Sequence, residues 1–217
     1  MKSIRKKKDV GIYGIAAKWY DKNTRKSRLA EMQEYADEIE SLVKSGASIL
    51  EVAPGPGYLS IELARRGFNV TAVDISRDFV RIAKENAKEA NVSVDFKKGN
   101  ASDLPCHDET FDFIVCSAAF KNFKEPVKAL HEMHRVLKHG GTALIIDMNR
   151  EATDEDINDQ IRGMKGLDKY FVKFSFKTFL KRAAYTKSEF EAMVRETPFR
   201  NYKIKTEGIS IYVYLYK

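Results

Sequence analysis

The chain has 217 residues, 43% hydrophobic and 32% charged, with a formal net charge of +7. That is ordinary for a globular protein long enough to bury a core, and it reads as one domain, 1–217. No apolar run approaches the ~20 residues of a membrane span, and the basic start, Met1 to Asp9, has no apolar stretch behind it, which argues against a secretory signal. Two cysteines, Cys106 and Cys116, lack metal-ligand spacing and suit a reducing, cytoplasmic setting.

The positive charge is concentrated. Residues 1–28 hold ten Lys/Arg against Asp9 and Asp21, and residues 161–187 hold eight against Asp168, so the remaining body is net acidic. The first segment divides into a basic arm with an aromatic, Ala-rich piece over 12–28, and a core-covering helix over 29–43. In that helix Leu29, Met32, Ala36, Ile39, Leu42 and Val43 recur at helical spacing, and Gly46 supplies the stop.

Ser48–Val52 is an apolar run containing Glu51, followed by Ala53-Pro54-Gly55-Pro56-Gly57 and an amphipathic run to Ala64. This predicts strand, tight loop and helix, the unit that opens a ligand crevice beyond the carboxyl end of a parallel strand. Ser60 occupies the position where a dinucleotide fingerprint needs its third glycine. Pro54 and Pro56 offer no N–H to a phosphate, and no Gly-Lys-Ser/Thr follows. The pattern therefore fits a ligand with an adenosine and no phosphate, and Glu51 suits a cationic one.

Glu51-Val-Ala-Pro-Gly55-Pro-Gly57 resembles the first motif of class I S-adenosylmethionine-dependent methyltransferases, with Ala53 in place of the first glycine. An alanine is accommodated there if it keeps a negative φ. The resemblance implies S-adenosylmethionine as cofactor and S-adenosylhomocysteine as product, with Ala53, Gly55 and Gly57 at the cofactor. It also likens residues 12–28 to the leading helix of this family, where an aromatic near Tyr20 touches the methionine end. Trp19 and Tyr20 read equally well as packing residues.

Next comes strand Asn69–Asp74. A carboxylate at its end is placed to accept both ribose hydroxyls, and Ser76 caps a helix over 77–90. Ile75 follows Asp74 in the expected contact set. Val92–Gly99 is the third strand. After it, Asn100 and Ala101 match the family's adenine grip, in which the side-chain oxygen takes the N6 amine. The Asn-Ala pair with Leu104-Pro105 is similar to quinone-biosynthesis C-methyltransferases. Pro105-Cys106 precedes the fourth strand, not after it as in cytosine C5-methyltransferases, so Cys106 reads as loop packing.

Phe111–Ala118 is nearly all apolar, a strand buried on both faces, with Ser117 at its ligand end. In the following loop, Lys121 and Asn122 stand where many relatives carry paired histidines, and they are the candidates for orienting the acceptor. No His general base is present there, nor an N6-adenine signature. Glu125–Leu137 is a helix whose Glu132-Met-His-Arg135-Val-Leu-Lys resembles the same family. Gly140-Gly141 is expected to turn that helix into strand Thr142–Met148, which carries Asp147 near its end. His131 and His134 read as surface residues, and no metal site is expected.

Residues 151–185 occupy the family's substrate-lid position. Leu167, Tyr170, Phe171 and Phe174 share one face and lysines recur every four residues on the other, with Tyr170 a candidate acceptor contact. A solvated lysine face over ordinary packing is the competing reading. Thr186-Lys-Ser-Glu189 is a capping box, and two strands around Gly208 close the chain.

The expected fold is a doubly wound seven-stranded α/β sheet, mostly parallel, in order 3-2-1-4-5-7-6 with an antiparallel final hairpin, helices on both faces and a helical lid. Its parts are 1–46, arm and covering helix; 47–150, cofactor core; 151–185, lid; and 186–217, closing helix and hairpin. The expected function is methyl transfer to a small-molecule acceptor, possible anionic or aromatic character following from the basic segments and aromatic lid. Methylation of RNA through the basic segments and a non-catalytic cofactor-binding role are the alternatives.

Overall fold

The computed structural model describes residues 11–162 and 181–217. Seven strands form one sheet in the order β3-β2-β1-β4-β5-β7-β6. They are β1 (Ser48–Val52), β2 (Asn69–Asp74), β3 (Asp95–Lys98), β4 (Phe111–Ser117), β5 (Leu137–Met148), β6 (Asn201–Glu207) and β7 (Ser210–Tyr216). The first five pair in parallel, whereas β7 runs antiparallel to both β5 and β6. The expected order and hairpin are therefore observed, and Gly208, at φ +50°, makes the turn.

Side-chain alternation along the central strands separates two cores. Leu50, Val52, Ile114, Cys116 and Ile145 face one side, with α4 (Pro126–Val136) and α6 (Lys187–Arg195) over them. Ile49, Phe113, Val115, Leu144 and Ile146 face the other, beneath α1 (Gly14–Leu42) and α2 (Tyr58–Arg65). Helix α3 (Arg77–Glu89) sets Ala83 and Ala87 against Ala72 and Phe96 on the α2 side. Phe113 and Ile114 are fully buried and face opposite ways, each worth about 2–3 kcal/mol of apolar burial.

Three local expectations need correction. The leading piece and the covering helix are one continuous helix of 29 residues. Nothing between residues 23 and 29 breaks a helix, since it holds neither Gly nor Pro. Trp19 does not pack the arm down and is 63% exposed, while its neighbour Tyr20 turns inward. Gly140-Gly141 does not end α4. That helix stops at Val136 and β5 starts at Leu137, with the glycines inside the strand at a register shift between its pairings to Phe111 and Phe113. Gly140 adopts φ +77° and donates to the Lys217 carbonyl. A Cβ on Gly141 would stand 2.9 Å from the Asp112 carbonyl, so these glycines serve the bulge.

The third strand is shorter than expected, Asp95–Lys98. Of the predicted lid, α5 (Asp154–Gln160) is opened by a Thr153–Asp156 capping box, and Lys181–Ala183 forms one helical turn. The aromatic and lysine positions from 165 to 180, Tyr170 among them, lie outside the described residues. The expected capping box Thr186/Glu189 is formed, opening α6. No helix among the described residues is long and apolar enough to cross a membrane.

Candidate active site

The carboxyl ends of β1, β2, β4 and β5 open into a cavity of about 900 Å³ roofed by α1. Its floor is the turn after β1. Ala53 donates its N–H to the Val73 carbonyl (2.8 Å), tying the turn to β2. Gly55, at φ +56°, has nothing within 4 Å of where a Cβ would stand, so a ligand can lie against the bare backbone. Gly57 has another role: at φ +82° it precedes α2, and a Cβ would meet Phe96 at 2.8 Å and Ala83 at 2.9 Å. It permits the close approach of α3 and β3.

Ala53 departs from its expected conformation. Its φ is +59°, the left-handed region, because the turn keeps the shape a glycine would give it. Replacing it with glycine removes about 1–2 kcal/mol of steric cost and returns part of that as unfolded-chain entropy. Ala53→Gly is thus expected to stabilise the protein by about 0.5–1 kcal/mol, read as a rise of about 1–4 °C in Tm by calorimetry. An unchanged or lower Tm would refute the strain.

Glu51 is 1% exposed at the end of β1 and accepts a short hydrogen bond from Ser60 Oγ. Burial pushes its carboxyl up to about 7, against the opposing Ser60 bonds and the positive charge of Arg28. The neutral acid is favoured in the fold, so the stability that Glu51 allows is complete below about pH 4.5 and falls as pH rises through about 7. The loss is on the order of 3 kcal/mol. Subtracting the stability of Glu51→Gln from that of the unmodified protein, by urea titration at several pH values, should expose this slope. A flat difference would remove the assignment.

Asp74 is 5% exposed at the end of β2. Its Oδ1 accepts from Ser76 N (2.8 Å) and its Oδ2 from Gly55 N (3.0 Å). Burial raises its carboxyl, while those two N–H groups lower it. Each oxygen keeps a second lone pair for a ligand. Ser76 caps α3 as expected, accepting from Phe79 N, and donates to the Ile12 carbonyl.

Ile75, Asn100, Ala101 and Ser117 all line the cavity. The Asn100 oxygen is turned into its own loop, accepting from Ser102 N and Oγ, both at 3.0 Å. It is therefore not an open acceptor for an adenine amine. Tyr20 lines the cavity and packs edge-on against Phe79 at 5.8 Å.

Lys121 and Asn122 follow β4 in a 3₁₀ turn and reach the cavity wall. Lys121 is not exposed toward a ligand as expected. Its Nζ lies 2.9 Å from Asp147 Oδ1, with the two side chains 8% and 2% exposed, and it also donates to the Ala118 carbonyl. Asp147 also accepts from the backbone N–H groups of Lys121 and Met148, both at 2.7 Å. The arrangement braces Ala118, a second alanine at positive φ (+56°). Cys106 is half-buried in its loop, and His131, His134 and His139 contact the Glu196 carbonyl, the Phe199 ring and Glu109, away from the cavity.

Four cavity residues on α1, Arg28, Glu31, Met32 and Tyr35, were not expected at the site. Met32 was legible only as a helical apolar position. Their i, i+3, i+4, i+7 spacing was the available signal, masked by the division of α1 into two pieces.

Residues 50–145 match the family model described as a methyltransferase domain. The chain is 32% identical over 106 residues to a ubiquinone biosynthesis O-methyltransferase of Xanthomonas campestris pv. campestris, covering 48% of this chain and 44% of that protein. It is 34% identical over 110 residues to a demethylmenaquinone methyltransferase of Deinococcus radiodurans, covering 50% and 46%. The matched stretch thus spans less than half the length of these curated relatives. The fold is shared with a SAM-dependent methyltransferase of Aquifex aeolicus, at TM-score 0.71 and 23% identity over 93% of this chain and 98% of that one. It is also shared with the plantazolicin methyltransferase BpumL, solved with a substrate analogue and SAH, at TM-score 0.67 and 18% identity over 94% and 88%.

Proposed function

We propose that this chain, whose residues 50–145 match a methyltransferase-domain model and whose fold is shared with a SAM-dependent methyltransferase, transfers the methyl group of S-adenosylmethionine to a small-molecule acceptor. The observation that carries the reading is the pairing of a bare glycine turn at Gly55 with the buried Asp74 carboxylate, joined by a 3.0 Å hydrogen bond. A space that a Cβ would fill, beside a carboxylate with open lone pairs, fits an adenosine without phosphates.

In this reading Asp74 accepts the two ribose hydroxyls, and Ile75 and Ala101 flank the adenine. Asn100 positions that loop through its side-chain oxygen. Ala53, Gly55 and Gly57 shape the turn under the ribose and methionine, and Tyr20 and Ser117 border the methionine end. Glu51 supplies negative charge beneath a cationic ligand, which favours its ionised form and couples binding to proton release near neutral pH. The bound cofactor supplies an already electrophilic methyl group, so what the protein adds is alignment and exclusion of water. Asn122 and the loop held by Lys121–Asp147 stand on the acceptor side, and the sequence makes Tyr170 a further candidate for contact with the acceptor. The similarity to quinone-biosynthesis methyltransferases favours an aromatic acceptor.

The test is incubation with methyl-labelled S-adenosylmethionine and a cell extract, followed by separation of small molecules, RNA and protein. Label in the small-molecule pool is expected. Label confined to RNA would move the acceptor to nucleic acid and the basic segments to its contacts. Absence of label from all three pools would refute the reading.

A further inference from the structure

We propose that the outward face of the first turns of α1 docks on an anionic lipid surface, with Ile15 and Trp19 entering the headgroup layer and Lys18 and Lys22 meeting the lipid phosphates. This surface lies apart from the cavity, and it goes beyond the cofactor reading without depending on it.

The inward face of this stretch is occupied. Ala17 is fully buried with Phe79 and Ile82 of α3, and Ile12 and Tyr20 pack on the same cluster. That contact fixes the rotation of the helix. It leaves Ile15 88% and Trp19 63% exposed, one turn apart on the opposite side. Tyr13, just ahead of the helix, is 50% exposed. Large apolar side chains grouped in water mark a surface that gains free energy by being covered. Lys18 and Lys22 are exposed beside them, three and seven residues on from Ile15 and so on the same side of the helix.

Charge indicates what covers the face. Between residues 12 and 30 the chain carries Lys18, Lys22, Arg25, Lys26 and Arg28 against Asp21, and Asp21 is turned inward onto Tyr58 and Asn86. Between 31 and 42 it carries Glu31, Glu34, Asp37, Glu38 and Glu40 and no Lys or Arg. The helix is thus basic and apolar at its start and acidic at its end, so a negative surface attracts the first and repels the second. Residues 1–10 add five Lys/Arg against Asp9. The aromatic segment 161–187 does not suit this face, because its eight Lys/Arg against Asp168 are repelled by it.

The phosphates of a nucleic acid would satisfy the lysines as well as those of a lipid, and Ile15 separates the two. It is the most exposed of the three apolar residues, it has no ring to stack on a base, and it gains by leaving water for an apolar layer. Trp19 and Tyr13 are of the types that settle at headgroup level, with the ring in the apolar layer and the polar tip wet. Apolar area and basic charge together set the strength of such interfacial binding.

Trp19 is the only tryptophan in the chain, so its emission reports this face directly. Vesicles of phosphatidylcholine and phosphatidylserine, mixed two to one, are expected to shift that emission to the blue. Vesicles of phosphatidylcholine alone should leave it unmoved, and added salt should weaken the binding. Lys18→Gln combined with Lys22→Gln is expected to weaken vesicle binding roughly 20- to 30-fold, about fivefold for each charge removed. Ile15→Ser should weaken it about tenfold, and Tm should change little in both variants because the positions are exposed. Absence of a blue shift on the anionic vesicles overturns the proposal. So does binding by both variants as tight as that of the unmodified protein, which would put the contact on another surface. It is likewise overturned if the emission responds to single-stranded RNA and not to vesicles, or if it shifts with protein concentration alone, the mark of a second copy covering the face.

Discussion

Asp74→Ala is expected to weaken S-adenosylhomocysteine binding by roughly 10²- to 10⁴-fold, the loss of two hydrogen bonds to a buried charged acceptor at about 1.5–3 kcal/mol each. The carboxylate has two tasks. It presents lone pairs to the cavity, and it receives the N–H groups of Gly55 and Ser76. Removing it loosens the glycine turn as well as the ligand. Asp74→Asn separates the two, since its carbonyl oxygen can keep one backbone bond while the negative charge is gone. Calorimetry of both variants, with Tm recorded in parallel, reads the outcome. A tenfold effect or less in Asp74→Ala would mean that the ribose is held elsewhere.

Lys121→Met is expected to give the largest loss of stability, about 3–5 kcal/mol, because it leaves Asp147 buried without its counter-charge. For a chain of this size that corresponds to a fall of roughly 10 °C in Tm. Adding Asp147→Asn should recover part of the loss, since a neutral amide still accepts from the N–H groups of Lys121 and Met148 and no longer needs a cation. A double variant no more stable than Lys121→Met would sink the ion-pair account. Were Lys121 instead a direct contact to the acceptor, its replacement would raise KM for that compound and leave Tm nearly unmoved.

These two residues mark where the sequence was informative. Asp74 was legible because strand period, a terminal acid and a cap at Ser76 coincide in adjacent positions. The glycine turn, β4 and the closing hairpin were legible for the same reason, each being a local pattern. Lys121 was placed correctly after β4 and its task was not, since its partner Asp147 lies 26 positions away and only the parallel pairing of β4 with β5 brings them together. Ala53 shows a different failure. Residue type suggests negative φ, yet the bond from its N–H to Val73 and the closeness of α2 fix the turn regardless. The α1 residues at the site were hidden for a third reason. A helix that covers a cavity and a helix that covers a core have the same spacing, and charge at positions 28 and 31 reads as solvent-facing until the cavity beneath is known.

The roof helix is fastened differently along its length. Toward its C-terminal end Met32, Ala36 and Ile39 are sunk in the apolar core. Nearer the start, polar contacts carry much of the attachment: Tyr58 Oη to Asp21 at 2.6 Å, Asn86 Nδ2 to Asp21 at 3.1 Å, Arg25 to Asn86, and Gly14 N to Asp78 at 2.9 Å. Water replaces such bonds at about 1 kcal/mol apiece, far less than exposing the core end would cost. The helix is thus sunk in the large apolar core at one end and held at the other by these polar bonds around the small cluster of Ala17, Phe79 and Ile82. Asn86, which also donates to the Pro56 carbonyl of the glycine turn, ties this end of the helix to the floor of the cavity.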